Sequence, residues 1–175
     1  MRNGKPHLKN RQKMKEELEL KLVEKFPELL KDYKGAPHET CLAFGLECDD
    51  GWYKVVYNTL DRLNKICELA DLEINIAQIK EKFGRLRIYV HMIECEDRVV
   101  ADIVWAIIND AETFSENVCE VTGEYGSMCK RRSWYKTLSY DLVNKENSEY
   151  SEYEPVDERV KKVWDFRKNH DNKMV

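Results

Sequence analysis

The chain has 175 residues, of which 42% are hydrophobic and 35% are charged, and its formal net charge is −4. This composition provides one hydrophobic core and excludes a membrane protein, because no segment approaches the roughly 20 apolar residues that a membrane helix requires. The negative net charge excludes a field that attracts nucleic acid over the whole molecule, so an anion site would need local clusters of cations.

The basic start of the sequence is not followed by an apolar stretch, which argues against a secretion signal and predicts the cytosol as the compartment. The six cysteines are widely spaced, and in the cytosol they are expected to be reduced thiols. No cofactor is expected.

The first third of the sequence predicts two helices. Apolar residues recur at helical spacing over 11–33, and Pro27 predicts a break near Lys25. Residues 38–48 predict an ordered loop or a short helix. A second helix follows, with Asp49 or Asp50 as its cap and Asp71 at its end.

The middle of the sequence switches to the two-residue period of β-strands. Two such segments flank Phe83-Gly84 and predict a hairpin, with an irregularity in the first strand near Ile79. Leu86 and Ile88 alternate with residues of the opposite face, which include Tyr89 and His91. A dense apolar stripe over 97–117 then predicts a core helix capped by Asp97.

The last part of the sequence has two glycines, scattered aromatic residues and little periodicity up to about residue 145. We interpret residues 1–145 as one α+β domain, with N-terminal helices, an antiparallel hairpin or small sheet, a long core helix and a degenerate ribbon-like end. Residues 1–10 are expected to be mobile. Residues 146–175 are expected to form a polar tail, in which Val160, Val163, Trp164 and Phe166 can form a short docking helix.

Two basic groups are candidate sites for an anionic ligand. The first surrounds the hairpin turn, where arginine forks and lysine ammonium groups suit phosphate oxygens. The second is interleaved with aromatic residues, a combination that holds a base by stacking and a phosphate by charge. A solvated hairpin that resists edge pairing is the alternative for the first group, and core packing is the alternative for the tryptophan. The candidates are Lys80, Lys82, Arg85 and Arg87 in the first group, and Lys130, Arg131, Arg132, Trp134 and Lys136 in the second.

The sequence patterns that would indicate a metal site or a catalytic site are weaker than the two basic groups. Cys119 and Gly123 look like the first knuckle of a zinc ribbon, but the positions of the other ligands hold Thr122, Ser139 and Leu142, and Cys129 has the wrong spacing. The cluster of His38, Cys41 and Cys48 is too loose to be a signature. His91 is the one histidine in a predicted strand, and a strand histidine is more often a surface residue than a general base.

Four segments within about residues 20–145 support a family resemblance: ETCLAFGLECDDGWYKVVYNTLDRLN, QIKEKFGRLRIYV, FSENVCEVTGEYG and WYKTLSYDL. In combination they resemble a group of small uncharacterised proteins carried by tailed bacteriophages and prophages. In that group an acidic-Gly-Trp helix start precedes a K-E-K-F-G-x-L-R hairpin and a zinc-ribbon-like end. Because Thr122, Ser139 and Leu142 replace the ribbon's ligands here, the resemblance implies a ribbon-shaped end held by packing. It implies a phage origin and no particular activity.

These observations predict a phage-type accessory protein that acts by binding and not by catalysis. It would sequester an anionic ligand such as a nucleotide signal, or block a host defence protein as an inhibitor. A nucleic-acid-binding accessory protein is the main alternative and predicts a steep loss of binding with salt. A protein inhibitor that uses an apolar patch and an enzyme that depends on His91 or a cysteine are further alternatives.

Overall fold

The computed structural model describes residues 13–93 and 95–171, so the predicted mobile segment 1–10 lies outside the described residues. The fold is α+β, as predicted, with two small antiparallel sheets of strand order β1-β2 and β4-β3-β5. The helices are α1 Glu16–Lys25, α2 Tyr53–Ala70, α3 Arg98–Phe114, α4 Tyr140–Asn144 and α5 Glu158–Asp171. The strands are β1 Glu73–Lys82, β2 Arg85–Ile93, β3 Ser127–Arg131, β4 Trp134–Leu138 and β5 Glu154–Pro155.

Helix α1 is shorter than the predicted helix over 11–33. It ends at Lys25, and Phe26 has the extended φ of −130° that a residue before proline prefers. The prediction is therefore correct for Glu16–Lys25 and for the break, and wrong for residues 13–15 and beyond Pro27, where turns replace the helix. Leu29 and Leu30 lie in these turns and are still fully buried, so the apolar pattern reports the core although the conformation changes.

The start of α2 corrects the predicted cap. A 3₁₀ turn over Asp50–Trp52 leads into the helix, and neither aspartate side chain caps it. Asp50 accepts a hydrogen bond from the backbone N–H of Lys15 (2.8 Å) instead. The end of α2 at Asp71 is confirmed, with the left-handed φ of 51° that terminates a helix.

The β1–β2 hairpin is confirmed. Its turn has positive φ at Phe83 (55°) and Gly84 (79°), the geometry that matches the twist of paired strands. The predicted irregularity of β1 is a register shift between Ile76 and Gln78. The outer edge of β1 is covered by Glu47, whose backbone N–H donates to the Ile79 carbonyl (2.9 Å).

Helix α3 is capped by Asp97 as predicted, since its carboxylate accepts from the N–H groups of Val99 (2.8 Å) and Val100 (3.3 Å). Its buried stripe packs between α2 and β2. Ile103 and Phe114, which the sequence placed in this stripe, are 41% and 60% exposed. Ile103 lies beside the buried stripe and Phe114 is the last residue of the helix, so neither side chain is covered by α2 or β2.

The C-terminal part forms a ribbon, the sheet of β3, β4 and β5, with a small core of its own. Tyr153 is buried in that core, and β5 pairs with β3. Helix α5 docks through Trp164, whose ring meets Tyr140 edge to face with centroids 5.5 Å apart. Val163 and Phe166 of the predicted docking helix stay exposed.

Candidate functional site

The first basic group lies on one face of the β1–β2 hairpin. The strand register places Lys80 opposite Arg87 and Lys82 opposite Arg85. Since directly paired residues share a face, all four cations lie on the same side of the sheet, away from the buried Leu86 and the core. The alternation of side chains along each strand places Lys80 with Lys82 and Arg85 with Arg87. The strand pairing then places both pairs on one face.

The tip of this hairpin packs against β4 of the ribbon. The Thr137 hydroxyl donates to the Gly84 carbonyl (2.7 Å), and a side chain at Gly84 would approach the Lys136 backbone to 3.2 Å. This contact brings Arg85 and Arg87 beside Tyr135, and Lys130 lies over the Tyr135 ring (5.1 Å). The two basic groups therefore meet in space at this point. We name the set Lys80, Lys82, Arg85, Arg87 and Lys130 the cationic face.

Both arginines of the cationic face pair with carboxylates of the α3 segment. Arg85 Nε lies 3.1 Å from Glu116 Oε1, and Arg87 pairs with Glu112, which also accepts from the Ile88 N–H (3.1 Å). Glu112 and Glu116 lie four residues apart and therefore project from one side of the chain toward β2. No local sequence pattern marks either carboxylate as a partner of these arginines.

The lysines of the cationic face lie over aromatic rings and make no ion pair within residues 13–93 and 95–171. Lys80 Nζ is 5.0 Å from the Tyr89 centroid, and Lys82 Nζ is 5.7 Å from the Phe83 centroid. Phe83 is 67% exposed at the hairpin tip. A shallow pocket of about 280 Å³ lies beside it, lined by Phe83, Arg85, Arg87, Met128 and Tyr135. Cations and aromatic rings are thus interleaved on an accessible surface.

The second basic group is divided by the alternation of β3 and β4. Arg131 and Trp134 pair with each other on the face opposite Lys130 and Tyr135. Arg131 lies 3.6 Å from Glu152 and over the Tyr153 ring, and Arg132 occupies the turn with φ 57°. The cations of the two groups converge beside Tyr135, and the predicted stacking residue, Trp134, points away from that surface.

Lys136 is the predicted contact residue that the fold removes from solvent. It is 8% exposed, and its Nζ lies 2.7 Å from Glu120 Oε2 and 3.8 Å from Asp49 Oδ2. We name Asp49, Glu120 and Lys136 the buried charge cluster. Because its ammonium group is held between the buried Glu120 and the half-buried Asp49, Lys136 cannot contribute to a surface site for phosphate.

Glu120 is the most unusual member of the buried charge cluster. It is fully buried, and its Oε1 makes no hydrogen bond among the described residues. Burial raises the pKa of Glu120 to about 7, although Lys136 acts in the opposite direction. Burial also raises the pKa of Asp49. One signal for this cluster exists in the sequence, because the two-residue period of β4 places Lys136 on the same face as the apolar Leu138.

The backbone around Glu120 joins the cluster to the start of α2. The Gly51 N–H donates to the Glu120 carbonyl (2.8 Å), and the Glu120 N–H donates to the Thr137 carbonyl (2.9 Å). A side chain at Gly51 would lie 2.3 Å from the Cys119 carbonyl, so only glycine allows this approach. The cluster therefore lies at the seam between the main core and the ribbon.

The predicted zinc-knuckle segment from Cys119 to Gly123 forms a turn. The Gly123 N–H donates to the Cys119 carbonyl (2.9 Å), and Gly123 has φ 76°. Cys119 and Cys129 are buried in the ribbon core, and Ser139 accepts from the Leu142 N–H as the cap of α4. Across residues 13–93 and 95–171, no group of three or more histidine, cysteine or acidic side chains is arranged to hold a metal.

Two of the buried cysteines lie in environments that disfavour nucleophilic chemistry. All six cysteines are free thiols. Burial raises the pKa of the Cys129 thiol to about 12 and that of Cys48 well above its usual range, so neither forms the reactive thiolate at neutral pH. His91 is exposed on β2, on the side of the strand predicted for it.

No protein-family model, curated protein or solved structure matches this chain. Among the described helices, none combines the length and the apolar character needed to cross a membrane.

Proposed function

We propose that this protein is a phage-type accessory binding protein that holds single-stranded nucleic acid against its cationic face. The observation that carries the proposal is the meeting of the hairpin cations with Lys130 and Tyr135 on one accessible surface. Lysine and arginine bind phosphate oxygens, and exposed rings such as Phe83 stack on bases regardless of sequence.

The shape of the surface favours an extended ligand over an isolated nucleotide. Its pocket of about 280 Å³ is smaller than the roughly 300–1,000 Å³ of most sites for small molecules. The two cross-strand cation pairs are two residues apart, which is about 7 Å along the strands. Charges repeated at such a spacing suit a chain that carries a phosphate at every unit.

The charge balance supports attraction in spite of the ion pairs. Four carboxylates lie on or beside this face: Glu112, Glu116, Glu47 (which accepts from Gln78) and Glu154 (opposite Lys130 and paired with Lys161). The five cations of the cationic face and Lys161 make six, so the net charge is +2. A guanidinium group has five N–H donors, so an arginine held by one carboxylate retains donors for a phosphate. The carboxylates also fix the direction of the arginines, which reduces the entropy lost on binding.

Sequestration of a nucleotide signal and a role against host defence remain predictions, and each depends on a different observation. Sequestration of a nucleotide signal would use the same cations but needs a larger pocket. A role against host defence, including the blocking of a host protein, rests on the resemblance to phage proteins.

Substitution of single lysines tests the proposed surface. We expect Lys82→Ala and Lys130→Ala each to weaken binding of a fluorescein-labelled oligothymidylate at low salt by roughly three- to tenfold, the loss of about one phosphate contact. Fluorescence anisotropy measures the affinity. Lys54→Ala is the matched control, because Lys54 is exposed on α2 and outside the cationic face.

The control should bind as the parent does. Failure of the parent to bind the oligonucleotide at low salt, or equal losses in Lys54→Ala and Lys82→Ala, would contradict the proposal.

A further inference from the structure

A groove of about 820 Å³ lies between α2 and α3, and its lining residues do not belong to the cationic face. Val55 and Ala111 are buried along its floor. The ion pair between Arg62 and Asp110 (3.2 Å) bridges the two helices at the groove. Its volume lies in the range of pockets that hold small organic ligands.

The rim of the groove carries hydrogen-bonding groups with no internal role. The side-chain amides of Asn58, Asn109 and Asn117 are exposed and make no hydrogen bond within the part of the chain that the structure describes. Each carboxamide provides both donors and an acceptor. Phe114, 60% exposed, adds an aromatic ring to the same wall.

The charges of the groove disfavour an anionic ligand. Arg62 is the one cation of its lining and is paired with Asp110. Asp61, the other lining carboxylate, pairs with Lys65 (2.6 Å) outside the lining. A phosphate placed here would meet two carboxylates and no cation without a partner, so its desolvation would not be compensated.

We infer that this groove binds an uncharged planar heterocycle of the purine class. Adjacent donor and acceptor atoms on a purine edge match a carboxamide, as in the pairing of asparagine with the N6 and N7 atoms of adenine. The ring of Phe114 stacks on the flat face of the ligand. The site takes a nucleoside in preference to a nucleotide, because its charges repel phosphate.

Isothermal titration calorimetry with adenosine and AMP tests the inference. We expect saturable binding of adenosine at one site and weaker binding of AMP. Phe114→Ala should weaken adenosine binding by at least about fivefold, the lower end of the range for loss of one stacked base. Asn58→Ala should weaken it as well. Both side chains are exposed, so these variants should fold as the parent does.

The control variant is Phe83→Ala, which removes an exposed ring from the cationic face. It should leave adenosine binding unchanged and weaken oligonucleotide binding. Phe114→Ala should weaken adenosine binding and leave oligonucleotide binding unchanged, so the experiment tests the two sites independently. Absence of saturable adenosine binding in the low-millimolar range, tighter binding of AMP, or an unchanged affinity in Phe114→Ala would overturn the inference.

Discussion

Replacement of Lys136 by methionine is expected to lower the free energy of unfolding by about 1–3 kcal/mol near neutral pH. Methionine matches the length of the lysine stem but removes the ammonium group 2.7 Å from Glu120 and 3.8 Å from Asp49. Without Lys136, Glu120 takes up a proton near neutral pH, because its pKa is about 7 even beside the ammonium group. The cost is then the lost hydrogen bond and ion pair of Glu120 and the unpaired charge of the half-buried Asp49. Chemical denaturation at constant pH measures the change.

Two further variants make this result specific. Lys130→Met changes an exposed lysine of the same ribbon and should alter stability by no more than about 0.5 kcal/mol. Lys136→Met combined with Glu120→Gln removes both partners and should recover part of the loss. If Lys136→Met is no more destabilising than Lys130→Met, the buried charge cluster does not stabilise the fold.

The second large effect is a dependence of stability on pH that originates at Glu120. Burial raises the pKa of Glu120 from 4.5 to about 7 in the folded state, so between these values the folded protein binds a proton more tightly than the unfolded chain. The stabilisation is fully present below the unfolded pKa and is lost as pH rises through about 7. Its full size is about 3 kcal/mol, at 1.36 kcal/mol for each pKa unit.

Comparison with Glu120→Gln isolates this effect from other titrating groups. Asp49, Glu81, Cys48, Tyr150 and Lys136 surround Glu120 and stay in place in both proteins. Denaturation from about pH 4 to about pH 8 should show the variant gaining about 3 kcal/mol relative to the parent as pH rises. Glu124→Gln, at an exposed carboxylate, is the control. Parallel stability curves for Glu120→Gln and the parent would contradict the assignment.

Local sequence patterns predicted much of the fold. The hairpin turn at Phe83-Gly84, the Asp97 cap and the end of α2 at Asp71 follow from the chemistry of a few adjacent residues. The alternation of the hairpin likewise predicted which cations share a face. These features depend on neighbours within a few positions, which a sequence displays directly.

The parts of the site that the sequence did not predict depend on distant contacts. Nothing near Lys136 in the chain shows that Glu120 and Asp49 close around it, so a surface role was expected for a residue that is 8% exposed. Likewise, the contact of the hairpin tip with β4, which joins distant parts of the chain, decides that Tyr135, and not Trp134, faces Arg85 and Arg87. Asp49 was interpreted as a helix cap because caps are local, whereas its partner Lys136 lies 87 positions away.

The salt dependence of oligonucleotide binding tests the cationic face most directly. The logarithm of affinity should fall linearly with the logarithm of salt concentration, with a slope of about −0.7 for each phosphate neutralised, so three to five contacts give a slope between about −2 and −3.5. The triple variant Lys80→Ala, Lys82→Ala and Lys130→Ala should make this slope shallower by about 2. A slope near zero in the parent, or the same slope in the triple variant, would contradict the proposed binding of nucleic acid at this face.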